Sequence, residues 1–277
     1  MLPGDLAVFF PRLVNYSLDR GDVFLTQEYY GYSTLSEMWV FEDFDPGYWQ
    51  LIFESLARIL ECFSACEGDI EPNGAYRFYW QKTVDRLETL AVDGPPQIVA
   101  LLNAPSIQLN GVTLDGWPAL QAAVQARLRT ACKSIRGQII HGDLCFPNIL
   151  YDPLSRLFKF IDPRGSFADS GIYGDPRYDA AKLLHSIDGG YDFIIHDMFV
   201  LKQEGTSVEL QQFFPPARDE VLARFATVFG VRFNMDEIRL LEGLLFLSMC
   251  PLHSDYPKRQ AAMFAIGLKI LNEVVAS

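Results

Sequence analysis

The stretch Ile139–Asp152, IIHGDLCFPNILYD, constrains the fold more than any other part of the sequence. It places His141, Asp143 and Asn148 between short apolar runs, where a plain core strand would carry only apolar side chains. Buried polar groups need hydrogen-bonding partners, so a chain seldom places three of them together without a use. The pattern predicts a loop, followed by a strand, that directs Asp143 and Asn148 into one cleft.

Two short apolar runs follow, Asn148–Tyr151 and Leu157–Ile161, and the DPLSR between them has turn composition. This arrangement predicts a small hairpin that ends at Asp162. A carboxylate that leaves a strand beside an Asp/Asn loop offers hard oxygen ligands to Mg²⁺, which screens the charge of a polyphosphate. Asp143 is then free to accept the proton of an attacking hydroxyl.

The rest of the periodicity is mostly helical. Apolar spacing or composition predicts helices over the segments 47–66, 76–90, 117–135, 179–186, 218–229, 236–250 and 258–274. Phe24–Tyr30 has strand composition, whereas 91–116, which contains three prolines, predicts a loop-rich connection. The predicted class is α+β, with a short strand region, a large helical body and a boundary near residue 40.

Composition and charge bear on the partners, the redox state of the cysteines and the possibility of a membrane span. The net charge of −12 disfavours nucleic acid and anionic membranes. The five cysteines form an odd set without a CxxC pair, which predicts reduced thiols in a cytoplasmic protein. The most apolar segment, Gly243–Leu252, is much shorter than the roughly 20 residues that span a bilayer.

The loop pattern H-G-D-L-x-x-x-N resembles the catalytic loop H-R-D-L-x-x-x-N of the protein-kinase-like fold, which is followed by a metal-binding Asp. Glycine at position 142, IDPRG (Ile161–Gly165) and GDPRYDAAKLLHS (Gly174–Ser186) are similar to the aminoglycoside phosphotransferase and choline kinase family. With LLFLSMCPLHSD, they look most like kinase-like proteins found with capsule and surface-polysaccharide genes. The resemblance covers roughly Phe9 to the C-terminus, and it implies ATP and Mg²⁺ as cofactors.

The resemblance also implies a role for each matching residue. Asp143 corresponds to the catalytic base, Asn148 and Asp162 to Mg²⁺ ligands, and Asp179 to the buried aspartate that braces the catalytic loop. His141 is expected to orient the loop or to pack in it, rather than to take part in the chemistry. The backbone groups of Gln27, Glu28 and Tyr29 would face adenine. Taken singly, Asp162 and Asp179 also have simpler interpretations, as a turn residue and as a charge at a helix N-terminus.

The sequence departs from the family in its first part. It contains no GxG, and its first lysine is Lys82, although the small lobe normally supplies a glycine loop and a phosphate-binding lysine. We therefore expect most of the small lobe to be absent, with 1–40 as a remnant plus the hinge strand and 41–277 as the helical large lobe. An exposed apolar surface is expected there, covered in a homodimer or by a partner chain.

The resemblance implies a small-molecule acceptor with a hydroxyl group, such as a sugar, an amino sugar or a choline-like alcohol. The candidate lining residues cluster near helix ends in the second half of the chain: Asp188, Tyr191, Asp192, His253, Asp255 and Tyr256. Acidic and aromatic groups would suit a cationic acceptor, but they equally fit an ordinary solvated acidic surface.

Two functional hypotheses remain beside the phosphotransferase. The missing lysine and glycine loop favour a catalytically inactive kinase-like domain that binds a ligand or partner. A metal-dependent phosphate-ester hydrolase is disfavoured, because the sequence offers no second cluster of metal-type ligands.

Overall fold

A computed structural model describes residues 2–71, 73–133 and 135–277. The helices are α1 Gly4–Ala7, α2 Leu35–Phe41, α3 Pro46–Ser64, α4 Gly74–Tyr76, α5 Lys82–Asp93, α6 Pro96–Asn103, α7 Trp117–Ala131, α8 Pro176–Ile187, α9 Tyr191–Ile195, α10 Arg218–Phe229, α11 Met235–Met249 and α12 Pro257–Ala276. The strands are β1 Leu13–Ser17, β2 Phe24–Gln27, β3 Ser33–Thr34, β4 Glu67–Gly68, β5 Ser106–Leu109, β6 Val112–Asp115, β7 Gly137–Ile139, β8 Ile149–Asp152, β9 Leu157–Phe160, β10 Tyr173–Gly174, β11 Phe199–Glu204 and β12 Ser207–Gln212. A π-helical turn, Arg77–Gln81, and the 3-10 turns Phe146–Asn148 and Cys250–His253 complete the assignment.

The helical body is built around α11 and α12, which pack on each other, while α8 and α5 pack on α11. Both central helices are buried over most of their length, as expected of helices that are apolar all round. Their close approach depends on small residues: a Cβ at Gly243 would lie 2.7 Å from Leu271, and one at Gly267 would lie 2.9 Å from Leu247.

Two three-stranded sheets hold the predicted loop at its two ends. In one sheet the order is β10-β7-β4, and in the other it is β3-β8-β9. Strand β7 ends just before the loop and β8 begins directly after it. The loop therefore connects two separate sheets, and strands from other parts of the chain pair with the strand at each of its ends.

The predicted helices are confirmed, with bounds that move by a few residues, and so is the β8–β9 hairpin. The segment predicted as helix over 76–90 contains the π-helical turn before α5. Helix α3 begins where Asp45 accepts a hydrogen bond from the backbone N–H of Gly47 and Pro46 occupies the first turn.

The loop-rich connection predicted for 91–116 is wrong. Helix α6 begins at Pro96, because proline at the first helical position has the φ of a helix and needs no N–H partner. The antiparallel pair β5–β6 then turns at Asn110 and Gly111, with φ values of 51° and 81°. Asn-Gly is the preferred sequence for such a two-residue hairpin turn.

The mostly helical pattern predicted after Tyr178 also missed a hairpin. Strands β11 and β12 pair antiparallel, and β12 continues the sheet by pairing parallel with β5. The resulting four-stranded sheet, β11-β12-β5-β6, lies outside both sheets that hold the loop.

Strands β1 and β2 form a separate two-stranded ribbon near the N-terminus. Large apolar side chains on and beside this ribbon are exposed: Leu13, Val14, Tyr16, Leu18, Val23, Phe24 and Leu25. The sequence predicted an exposed apolar surface in this region. By contrast, Leu6 and Leu35 belong to the same buried apolar cluster as the helical body. The boundary near residue 40 stays a prediction.

No helix in the described part of the chain combines the length and apolar character needed to cross a membrane.

Candidate active site

The loop that follows β7 is bound through its backbone to helix α8. The backbone N–H groups of His141 and Gly142 donate to the two carboxylate oxygens of Asp179, at 2.8 and 2.9 Å. Asp179 lies in the first turn of α8 and is 1% exposed. Burial raises the pKa of Asp179 to about 7, although the two N–H donors act in the opposite direction. These contacts fit the bracing role that the resemblance implies for Asp179.

His141 links the loop to the end of the β8–β9 hairpin. Its Nε2 lies 3.1 Å from the carbonyl of Ile161, and its Nδ1 accepts a hydrogen bond from the backbone N–H of Asp143 at 3.2 Å. These partners require a neutral ring with the proton on Nε2. Burial also lowers the pKa of His141 to about 4. The contacts of His141 fit an orienting role.

Gly142 allows the loop to turn sharply beside Arg164. Its φ of 78° lies in the left-handed region that favours glycine. A Cβ at this position would lie 3.0 Å from Cβ of Arg164. The backbone N–H of Arg164 donates to the carbonyl of His141 at 3.0 Å and holds the two segments together. A side chain at position 142 would push them apart.

Asp143 forms an ion pair that the sequence analysis missed. Nζ of Lys182 lies 2.7 Å from Oδ1 of Asp143, and the two side chains are 9% and 28% exposed. Burial raises the pKa of Asp143, but the charge and hydrogen bond of Lys182 outweigh it, so the pKa lies below its ordinary value. One signal was available: Lys182 lies three residues after Asp179, on the same face of α8.

Asn148 and Asp162 are connected through the backbone of the hairpin. The side-chain amide of Asn148 donates to the carbonyl of Asp143 at 2.9 Å, which leaves its Oδ1 as the atom available to a cation. The backbone N–H of Ile161 donates to the carbonyl of Asn148 at 3.0 Å, and Asp162 follows as an exposed residue with φ of 53°.

This donor set fits magnesium better than a transition metal. Within residues 2–71, 73–133 and 135–277, no group of three or more His, Cys, Asp or Glu side chains could hold a metal ion. Magnesium is commonly held by one or two carboxylates together with substrate phosphates and water. A carboxylate at Asp162 and an amide oxygen at Asn148 match that requirement.

The predicted hinge residues lie at the end of the exposed ribbon. Gln27 pairs with Leu13, and the backbone N–H of Glu28 donates to the carbonyl of Arg12 at 3.0 Å. The Glu28 carboxylate contacts Nε of Arg12 at 3.1 Å. Tyr29 is 92% exposed.

Two of the predicted acceptor residues lie together near the loop that carries Asp143. The rings of Tyr191 and His253 are 6.4 Å apart, and Tyr191 also stacks on His185 at 4.6 Å. Burial, and to a smaller extent the charge of Asp143, raises the pKa of Tyr191 to about 12.

The other predicted acceptor residues have different surroundings. Asp188 is engaged by Arg218 at 2.8 Å and by Arg239 at 3.3 Å. Asp192 is fully buried, and burial raises its pKa to about 6. Asp255 and Tyr256 are exposed.

No family model matches the chain, and no curated protein matches it. Several solved structures are similar to the chain, including the following two. One is a crystal structure of an aminoglycoside-3'-phosphotransferase of type VIII, with 17% identity and a TM-score of 0.47, covering 88% of this chain and 75% of that protein. The other is a glucosamine kinase in complex with glucosamine, ADP and inorganic phosphate, with 13% identity and a TM-score of 0.57, covering 93% of this chain and 63% of that protein. With the mixed α+β architecture, the likeness to the second structure shows that the chain has a protein-kinase-like fold.

Proposed function

We propose that this chain is a nucleotide- and magnesium-dependent phosphotransferase that acts on a hydroxyl group of a small, sugar-like molecule. The observation that carries the proposal is the state of Asp143. It is a partly exposed carboxylate, kept ionised by Lys182, on a loop whose backbone is bound to Asp179. A carboxylate that served only stability would not need an open face.

Asp143 accepts the proton of the acceptor hydroxyl as that oxygen bonds to the γ-phosphorus and the bond from the γ-phosphorus to the bridging oxygen breaks. Because its pKa is lowered, Asp143 is ionised at neutral pH but is a weak base. We therefore expect proton transfer late in a loose transition state, as is typical of phosphoryl transfer. Lys182 holds the carboxylate in position through the 2.7 Å contact.

Asn148 and Asp162 provide the oxygen atoms that would hold magnesium. A magnesium ion bound there would screen the negative charge of the nucleotide phosphates. The hydrogen bond from the Asn148 side chain to the carbonyl of Asp143 holds this proposed metal ligand close to the proposed base. We propose that residues 1–40 are the remnant of the small lobe with the hinge strand, and that the backbone of Gln27, Glu28 and Tyr29 faces the adenine ring of the nucleotide. Of the backbone N–H groups of these three residues, that of Glu28 already donates to the carbonyl of Arg12.

Calorimetric titration with Mg·ATP tests the nucleotide site. The wild-type chain is expected to bind, and Asp162→Ala is expected to weaken binding at least about tenfold, since one lost ligand contact of this kind is worth more than about 1.4 kcal/mol. Asp219→Ala removes an acidic group that is 88% exposed on α10 and serves as the matched control. Equal binding by all three proteins, or no heat from any, would contradict the proposal.

A transfer assay tests the chemistry. With a panel of small hydroxyl compounds and labelled ATP, Asp143→Asn is expected to reduce transfer by about 10²-fold or more, the contribution typical of a general base, while Mg·ATP binding persists. Nucleotide binding without transfer to any compound would instead favour the kinase-like binding domain. The absence of a GxG and of any lysine before Lys82 supports that second hypothesis.

A further inference from the structure

Four basic residues lie close to one another, and three of them also lie close to Asp143, although the chain as a whole carries a net charge of −12. We call them the basic cluster: Lys82, Arg86, Arg164 and Lys182. The charges of the other three act on Lys82, and Lys182 and Arg164 act on Asp143. Among the residues that the structure describes, Lys182 alone of the four forms an ion pair, and its partner is Asp143. The cluster therefore has an excess of positive charge beside the proposed base.

Lys82 is the least compensated member of the cluster. Its Nζ lies 3.8 Å from the ring centroid of Phe78 and 5.4 Å from that of Tyr178, and no salt bridge to Lys82 is found within the described residues. The residue is partly buried. Desolvation, followed by the charges of Arg164 and Arg86, lowers the pKa of Lys82 well below its ordinary value. A bound anion would relieve each of these effects.

Arg164 shares the same aromatic surface. Its guanidinium lies 5.5 Å from the ring centroid of Phe78, and its side chain is exposed without a salt bridge to any described residue. The backbone N–H of Arg164 is bound to the carbonyl of His141, so the residue is held next to the catalytic loop. The π-helical turn Arg77–Gln81 carries Phe78 and precedes Lys82 directly. Such turns occur often at functional sites.

Lys82 approaches Asp143 from the helical body. Helix α5, which begins at Lys82, packs on α11 and on the 3-10 turn Cys250–His253. Asn148 and Asp162 instead flank the β8–β9 hairpin, which pairs with β3. Lys82 and Arg86 therefore come from the helix that packs against the turn carrying His253, whereas Arg164 follows Asp162 by two residues.

We propose that the acceptor is anionic: a small hydroxyl compound that also bears a phosphate or carboxylate group, which Lys82 and Arg164 bind while Asp143 receives the hydroxyl. The inference rests on the proposed phosphotransfer. It replaces the cationic acceptor for which acidic and aromatic lining residues were expected, because Asp188 is already paired with two arginines and Asp192 is fully buried.

Titration with inorganic phosphate, without nucleotide or magnesium, tests the anion site directly. We expect saturable binding in the millimolar range, which corresponds to about −4 kcal/mol. Lys82→Met keeps the apolar stem over Phe78 and is expected to weaken phosphate binding at least about tenfold, whereas Lys82→Arg is expected to stay within about threefold. Lys202→Met, which removes a lysine that is 78% exposed on β11, is the matched control.

The outcomes separate this inference from the proposed function. If phosphate does not bind up to about 50 mM, or if Lys82→Met binds it as the wild type does, the anion site is refuted, whatever Mg·ATP does. If Lys82→Met loses Mg·ATP as strongly as phosphate, the cluster holds nucleotide phosphates and the acceptor assignment is overturned. If phosphate binding depends on Lys82 but Mg·ATP never binds, the anion site stands, whereas the proposed function and the acceptor role that rests on it are refuted.

The acceptor panel gives the final comparison. In the transfer assay, a sugar phosphate is expected to exceed the matching neutral sugar by at least about tenfold in kcat/KM, and the matching amino sugar by more, since like charges repel at the cluster. Lys82→Met should reduce this preference. An amino sugar as the best substrate would overturn the inference.

Discussion

The ion pair between Asp143 and Lys182 offers the sharpest test of the site, because its effect on stability can be measured before any substrate is known. Nζ of Lys182 lies 2.7 Å from Oδ1 of Asp143, and the side chains are 9% and 28% exposed. Asp143→Asn would leave a buried ammonium without its carboxylate. Lys182→Met would leave a partly buried carboxylate without its cation.

Removing one partner of a buried ion pair costs about 3–5 kcal/mol. Because 28% of the Asp143 side chain still reaches water, Lys182→Met is expected to cost less, about 2–3 kcal/mol of the free energy of unfolding. Asp143→Asn is expected to cost about 3–4 kcal/mol, since Lys182 has less access to water. The double variant removes both charges, and it should be more stable than the sum of the two losses predicts by about 2 kcal/mol.

Urea unfolding at neutral pH, followed by circular dichroism, measures all four proteins of this double-mutant cycle. The exposed pair Asp197–Arg259, at 2.8 Å and with side chains 49% and 20% exposed, is the control. Asp197→Asn should cost no more than about 1 kcal/mol. Single losses in Asp143 and Lys182 that simply add, with a coupling below about 0.5 kcal/mol, would show that the pair does not form and would remove the basis for an ionised Asp143.

Two further predictions concern the same loop. Gly142→Ala should lower the free energy of unfolding by about 1 kcal/mol more than Gly165→Ala, because both glycines have positive φ but only at Gly142 does a Cβ meet Arg164; equal losses by urea unfolding would mean that the close approach is absent. Native His141 stays neutral down to a pKa of about 4, against 6.5 when unfolded. The contribution of neutral His141 to the free energy of unfolding is therefore complete above pH 6.5, and up to about 3 kcal/mol of it is lost as the pH falls to 4. His141→Gln should flatten that part of the stability profile relative to wild type. The comparison with the variant is needed because Asp179, with a pKa raised to about 7, titrates in the opposite sense, and identical profiles would contradict the assignment.

Much of the secondary structure could be predicted from local patterns. The apolar spacing within 47–66 and 236–250 predicts α3 and α11 because a helix turns every 3.6 residues and must bury one face. The turn composition of DPLSR predicts the β8–β9 hairpin in the same way. Each of these signals lies within a single helix or hairpin, so the neighbouring residues are enough to predict the secondary structure.

The wrong predictions have two causes, competing local signals and a pairing partner that is distant in sequence. The prolines in 91–116 favour a loop, but Pro96 begins α6, and Asn110-Gly111 closes a hairpin. Strand β12 is stabilised partly by parallel pairing with β5, about a hundred positions earlier in the chain. The residues of β12 alone do not reveal that β5 is the partner strand.

The sequence by itself determined which polar residues the loop and its hairpin carry, because His141, Asp143, Asn148 and Asp162 occur in order within one short segment. Only the tertiary structure showed which charges meet there. Asp143 reaches Lys182 because the loop is bound to α8 through Asp179, and Lys82 comes close because α5 packs on α11. Packing brings together helices that are distant in sequence, and the balance of charge around Asp143 depends on that packing.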